Sequence, residues 1–107
     1  MNKAIIIGRI TKDIELKYTK NEKQYIEFTV AVSRDYKNAE GEYDTDFITV
    51  DAWGFIAENT ASYCKKGDLI GVSGSLRHDT YDTEDGTKQS KDYILAEKIT
   101  FLSAKKD

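Results

Sequence analysis

Residues 25–34 read Tyr25-Ile26-Glu27-Phe28-Thr29-Val30-Ala31-Val32-Ser33-Arg34. In an extended chain Ile26, Phe28, Val30 and Val32 share one face, while Glu27, Thr29 and Ser33 take the other. Alternation of period two, carried by β-branched and aromatic residues, predicts a half-buried strand. The same reading extends outward. Ala4–Ile7 is apolar on both faces, as expected of a strand covered on two sides. Leu69–Tyr81 alternates with Ile70, Val72 and Leu76 inward, and Gly71 and Gly74 within it predict a bulge or bend. Asp92–Leu102 forms a last strand whose phase slips near Glu97-Lys98, which predicts another bulge.

One segment is helical. Phe55–Lys66 places Ile56, Thr60, Tyr63 and Cys64 on one side at helical spacing. It closes on Lys65-Lys66-Gly67, cations followed by glycine, which is a stop signal. Polar connectors fall at Thr19–Gln24, Asp35–Asp46 and Asp82–Lys91, the last two reading as long hairpin tips. The order is therefore three strands, one helix, two strands. This is the plan of an all-β, five-stranded Greek-key barrel of the oligonucleotide/oligosaccharide-binding (OB) type, with curved antiparallel strands and its helix between strands 3 and 4. A small α+β sheet under one covering helix has the same element order, and periodicity does not separate the two.

The 107 residues fit one domain, with 16 Lys+Arg against 19 Asp+Glu and a formal net charge of −3. We expect an OB domain over residues 1–103 and a short tail over 104–107. The single cysteine, Cys64, cannot close an intrachain disulfide, lacks the companions of a structural zinc site and reads as a small buried helix residue. A reducing, cytoplasmic compartment fits. No run approaches the roughly 20 apolar residues of a membrane span, and the apolar start is too short for a signal peptide. The acidic balance argues mildly against a nonspecific polyanion binder, so the residue pattern has to overcome it.

Phe47-Ile48-Thr49-Val50-Asp51-Ala52-Trp53 supplies that pattern. Ile48, Val50 and Ala52 satisfy a core, which sends Phe47 and Trp53 to the wet face with Thr49 and Asp51. Large rings on a wet face are unusual unless something covers them, whether a loop, the helix or another subunit. Tyr36 and Tyr81 sit where strands run out into the long tips, beside Arg34 and Lys37 in one case and Arg77, Lys88 and Lys91 in the other. Each tyrosine alone reads as a solvated loop residue. Together, aromatics interleaved with cations suit single-stranded nucleic acid. Unpaired bases stack on flat rings for roughly 1–3 kcal/mol each, and cations track the phosphates.

The opening Asn2-Lys3-Ala4-Ile5-Ile6-Ile7-Gly8-Arg9-Ile10-Thr11-Lys12-Asp13 resembles the start of bacterial and phage single-stranded-DNA-binding proteins. Further resemblances are Glu15-Leu16-Lys17-Tyr18-Thr19, Phe28-Thr29-Val30-Ala31-Val32, Asp46-Phe47-Ile48, the run Trp53-Gly54-Phe55-Ile56-Ala57-Glu58-Asn59-Thr60-Ala61, and Tyr63-Cys64-Lys65-Lys66-Gly67. They stay in register over about residues 2–102. The resemblance implies a five-stranded barrel, usually a homotetramer. It also implies non-catalytic wrapping of single-stranded DNA in replication, recombination and repair, without cofactor, metal, membrane or small-molecule substrate. The family's stacking positions fall here on Tyr36, Phe47, Trp53 and Tyr81, and Lys3, Arg34, Lys37, Arg77 and Lys88 are the candidate phosphate ligands. Two departures stand out. Ile14 follows Asp13 where the family usually has proline, and the chain stops at Ala104-Lys105-Lys106-Asp107 where relatives commonly continue to an acidic tip. Tail-mediated recruitment is therefore not expected.

Three rivals remain on residue grounds. An enzyme would need more than His78 and Cys64, which nothing marks as neighbours, and there is no glycine-rich phosphate cradle. An RNA-binding, oligosaccharide-binding or replication-restart module could use the same barrel. A purely structural assembly protein could cover the outward rings with subunits. The acids cluster in the two tips, at Asp35, Glu40, Glu42, Asp44 and Asp46 and at Asp82, Glu84 and Asp85. Acid beside the nucleic acid predicts that stacking carries more of the affinity and that the salt dependence is shallow.

Overall fold

The computed structural model describes residues 1–103; the tail expected at 104–107 lies outside the described residues. The strands are β1 (Ala4–Ile10), β2 (Lys17–Tyr18), β3 (Gln24–Lys37), β4 (Tyr43–Trp53), β5 (Leu69–Asp82) and β6 (Lys88–Phe101), with one helix, α1 (Phe55–Tyr63). They form one sheet in the order β1-β5-β6-β4-β3-β2, and pairing of β1 with β3 closes β1, β3, β4, β5 and β6 into a barrel. The element order that fitted two architectures thus resolves to the closed one.

The inward residues of each strand meet in one core. Ile10, Ile26, Val30, Val50, Ile70 and Val72 are fully buried, and Phe28, Ile94 and Ala96 nearly so. Helix α1 packs on β3, β4 and β6 through Ala57 and Thr60. Gly54 makes the entry to α1 possible. It joins β4 to the helix in one residue at φ 64°, a left-handed conformation that side chains avoid.

Gly74 has a different reason. A Cβ there would lie 2.1 Å from the Leu95 carbonyl oxygen, so only glycine fits. The ladder pairs Ser73 with Lys98 and Gly74 with Ala96, which leaves Glu97 as the extra residue of a bulge. Both signals in the sequence, the glycine and the phase slip, mark this one irregularity.

Several expectations need correction. The two-residue β2, paired with Gln24–Tyr25 across the Thr19–Lys23 turn, is too short to show a period. It places α1 between the fourth and fifth strands rather than between the third and fourth. The contact of β4 with β6 is parallel, over Val50↔Ile94 and Asp51↔Leu95, so the barrel is not antiparallel throughout.

The helix stops at Tyr63, short of Lys66. The amides that would have continued it are taken elsewhere: Lys65 N–H donates to Asp68 Oδ2 (2.8 Å), Lys66 N–H to Asp13 Oδ1 (3.0 Å) and Gly67 N–H to the Ile10 carbonyl (2.8 Å). Tyr63, expected on the inward side of the helix, is exposed, while Cys64 is buried. Ile5, Ile7 and Leu76 are also exposed, although β1 was expected to be covered on both faces and Leu76 to point inward. Leu76 opposes the buried Ile94 and so has the inward phase, but it stands at the edge of the core, past which β5 and β6 run on as a two-stranded arm. The presumed long tips are mostly strand. Neither arm buries a face, so no apolar period marks it, and the connections shrink to residues 38–42 and 83–87.

Candidate nucleic-acid interface

Cross-strand register fixes which side chains share the outer face. In the β3–β4 ladder Tyr25 opposes Trp53, Glu27 opposes Asp51, Thr29 opposes Thr49 and Ala31 opposes Phe47. The parallel contact continues the face from Asp51 to Leu95, and hence to Tyr93 and Lys91 on β6. On β5 it continues to Arg77, Asp79 and Tyr81, opposite Tyr93, Lys91 and Gln89. Three of the four nominated rings, Phe47, Trp53 and Tyr81, therefore lie on one face with Arg77. Their exposures are 66, 44 and 51%. Phe47 and Trp53 stand about 20 Å apart along β4, at roughly 3.3 Å per residue.

Tyr36, 66% exposed, is placed differently. With Arg34 and Asp46 it lines a cavity between the β3–β4 arm and Ile5–Ile7 of β1, on the even phase of Ile26 to Val32 rather than that of Phe47; two extra residues on β3 between Ser33 and Lys37 shift the register there. Lys37 and Tyr43 oppose each other beyond that shift, with Lys37 Nζ 5.9 Å from the Tyr43 ring centroid.

The nominated cations divide into two sets. Arg34 donates from Nε to both oxygens of Asp46 (3.2 Å each) and from Nη2 to Oδ1 (2.9 Å). That hydrogen bond raises the guanidinium further above its ordinary pKa and lowers the Asp46 carboxyl. Lys3 pairs with Glu97 at 3.2 Å. Lys37, Arg77 and Lys88 have no carboxylate within ion-pair range among the described residues.

The middle of the outer face is a polar cluster. Lys91 Nζ donates to Asp51 (3.0 and 3.1 Å) and to Glu27, and lies 4.5 Å from the Tyr93 ring centroid. The Tyr93 hydroxyl donates to Asp79 (2.7 Å), which raises its pKa. Partial burial raises the Asp51 carboxyl despite Lys91. Burial lowers Lys91, but the hydrogen bonds to Glu27 and Asp51 outweigh it and the net shift is upward.

Flat rings at both ends of a strand face, cations at its margins and a centre whose one lysine is engaged by its own carboxylates match the geometry that unpaired bases require. The profile of the Single-strand binding protein family matches residues 1–102. This chain belongs to that family. Single-stranded DNA-binding protein 2 of Clostridium acetobutylicum is 47% identical over 108 residues, covering all of this chain and 80% of that protein. Single-stranded DNA-binding protein B of Bacillus subtilis is 39% identical over 104 residues, 97% of this chain and 92% of its own length. Single-stranded DNA-binding protein 1 of Clostridium acetobutylicum is 43% identical over 108 residues, covering all of this chain and 98% of that protein.

In this member of the single-strand binding family, the sequence reading left out Tyr25, Tyr43 and the internal pairing of Lys91. Tyr25 stacks on Trp53 with ring centroids 5.0 Å apart and planes inclined by 27°. It has the same outward phase as Glu27 and Thr29, so the signal that selected Phe47 and Trp53 applies to it as well. Tyr43 meets Lys37 through the shifted register of the β3–β4 hairpin, and the Lys91 network joins strands distant in sequence; alternation within one strand carries neither.

Proposed function

We propose that this chain binds single-stranded DNA without catalysing a reaction on it, largely independently of sequence, and protects it in replication, recombination and repair. One observation carries the reading: Phe47, Trp53 and Tyr81 expose flat rings on a single strand face. Duplex DNA hides its base faces, so such a face selects unpaired strands, and every base can stack on it. Tyr36 stacks a further base from the cavity beside β1. Lys37, Arg77 and Lys88 contact phosphates directly, whereas Lys3 and Arg34 do so in competition with Glu97 and Asp46.

The acting unit is a homotetramer in the cytoplasm, at the nucleoid. Supporting assembly, Ile5 and Ile7 are 71 and 57% exposed on the outer side of β1. Leu102 lies against the same face, 3.7 Å from where a Gly71 Cβ would stand. Apolar surface of this kind on a small domain favours contact with another subunit. Among the described residues no helix is long and apolar enough to cross a membrane.

The test is titration of intrinsic fluorescence, since Trp53 is the only tryptophan. Oligo(dT) quenches it at low protein concentration, and a duplex of matched length does so far more weakly. Equal or tighter duplex binding would refute the reading. Labelled single strands incubated with the protein and magnesium remain intact, and their cleavage would refute the non-catalytic part.

A further inference from the structure

Lys17 opposes Tyr25 in the β2–β3 ladder, and Tyr25 opposes Trp53 in the β3–β4 ladder. Directly opposed residues of antiparallel strands project to the same side, so Lys17, Tyr25 and Trp53 form one row across three strands on the outer face. Tyr25 is stacked on the indole and is itself partly buried, while Trp53 remains 44% exposed. Lys17 is exposed and has no carboxylate within ion-pair range among the described residues. One row further in, Glu27 and Asp51 oppose each other and hold Lys91 between them. A phosphate beside Trp53 therefore meets acid on the inner side and an unengaged ammonium at the β2 edge.

We infer that the base site at Trp53 is a two-ring platform, in which Tyr25 is a positioning residue that holds the indole for stacking and Lys17 binds the adjoining DNA phosphate. The strand leaves the face across β2 rather than over the centre. This rests on the single-stranded-DNA reading above and adds two residues to it. The physical gain is preorganisation. An indole already held by a neighbouring ring loses less rotamer freedom when a base stacks on it.

The experiment uses the full chain and oligo(dT). Tyr25→Leu weakens binding about 3–10-fold, from the added cost of immobilising one side chain. It also speeds depolarisation of Trp53 emission in the DNA-free protein, and Tyr25→Phe restores slow depolarisation and most of the affinity. Lys17→Gln leaves depolarisation unchanged but reduces the slope of log affinity against log salt by about 0.7, one phosphate contact on a single strand. Urea denaturation midpoints report whether each variant is folded. Wild-type affinity, depolarisation and salt slope in both Tyr25→Leu and Lys17→Gln would overturn this inference alone. Failure of the unsubstituted protein to bind oligo(dT) would overturn it together with the reading it rests on.

Discussion

Arg34 and Asp46 face each other across the β3–β4 arm in a two-pronged ion pair, the guanidinium Nε reaching both carboxylate oxygens and Nη2 one of them. A nominated phosphate ligand is thus already satisfied within the protein, and Asp44 adds a second acid 3.9 Å from Nη1. A DNA phosphate can take Arg34 only by displacing a carboxylate. Asp46→Asn removes that competitor. We expect tighter binding to oligo(dT) and a salt slope steeper by about 0.7, one added phosphate contact. Fluorescence titrations at several salt concentrations measure both.

The rings themselves are expected to carry most of the affinity. Phe47→Ala combined with Trp53→Ala costs on the order of 2–6 kcal/mol if the two stacking contributions add. Lys37→Ala or Arg77→Ala singly costs less. Because the double variant lacks tryptophan, binding is followed with a labelled oligonucleotide.

Thr83, Asp85 and Thr87 close the β5–β6 tip: Thr83 and Thr87 hydroxyls and the Thr87 amide all donate to Asp85 Oδ1, the amide at 3.1 Å. These bonds lower the Asp85 carboxyl from its ordinary 3.8 to about 2. A depressed folded pKa stabilises above the ordinary value and loses that contribution as pH falls through the folded one. We therefore expect protection of the Thr87 amide from hydrogen exchange to persist at pH 4 and to decline as pH falls toward 2. An Asp85→Asn variant lacks that transition.

Gly74→Ala places a methyl group against the Leu95 carbonyl, where 2.1 Å of space exists. The neighbour is backbone inside a ladder and cannot turn aside. A loss of roughly 1–3 kcal/mol or more is expected, as in other overpacked sites. The denaturant midpoint reads it directly.

Ile5→Lys with Ile7→Lys puts charge on the exposed apolar outer side of β1. Light scattering is expected to show a smaller assembly, with the far-ultraviolet signature of the barrel retained. An unchanged mass would assign the subunit contacts to another surface.

Legibility in the sequence followed burial. Ile26, Phe28, Val30, Val50 and Val72 announce their strands because one side of each faces a core and the other water. The arm residues 35–37, 43–46 and 88–91 bury neither side, so their strand character leaves no period to read. The helix ends three residues before the stop that Lys65-Lys66-Gly67 predicts, because Asp68 just beyond it takes the Lys65 amide and two partners from a distant segment, Asp13 and Ile10, take those of Lys66 and Gly67. Ile5, Ile7 and Leu76 show the opposite error. Apolar letters predicted cover, and the isolated chain leaves them bare.

By itself the sequence determined the strand phases, the single helix, the Gly74–Glu97 irregularity and the outward direction of Phe47 and Trp53, all of which depend on neighbours a few residues away. The tertiary structure alone decided that β5 brings Tyr81 onto their face, and that Asp46, Glu97, Glu27 and Asp51 occupy Arg34, Lys3 and Lys91. Those outcomes depend on ladder register and on through-space charge pairing between distant segments, which sequence spacing does not encode.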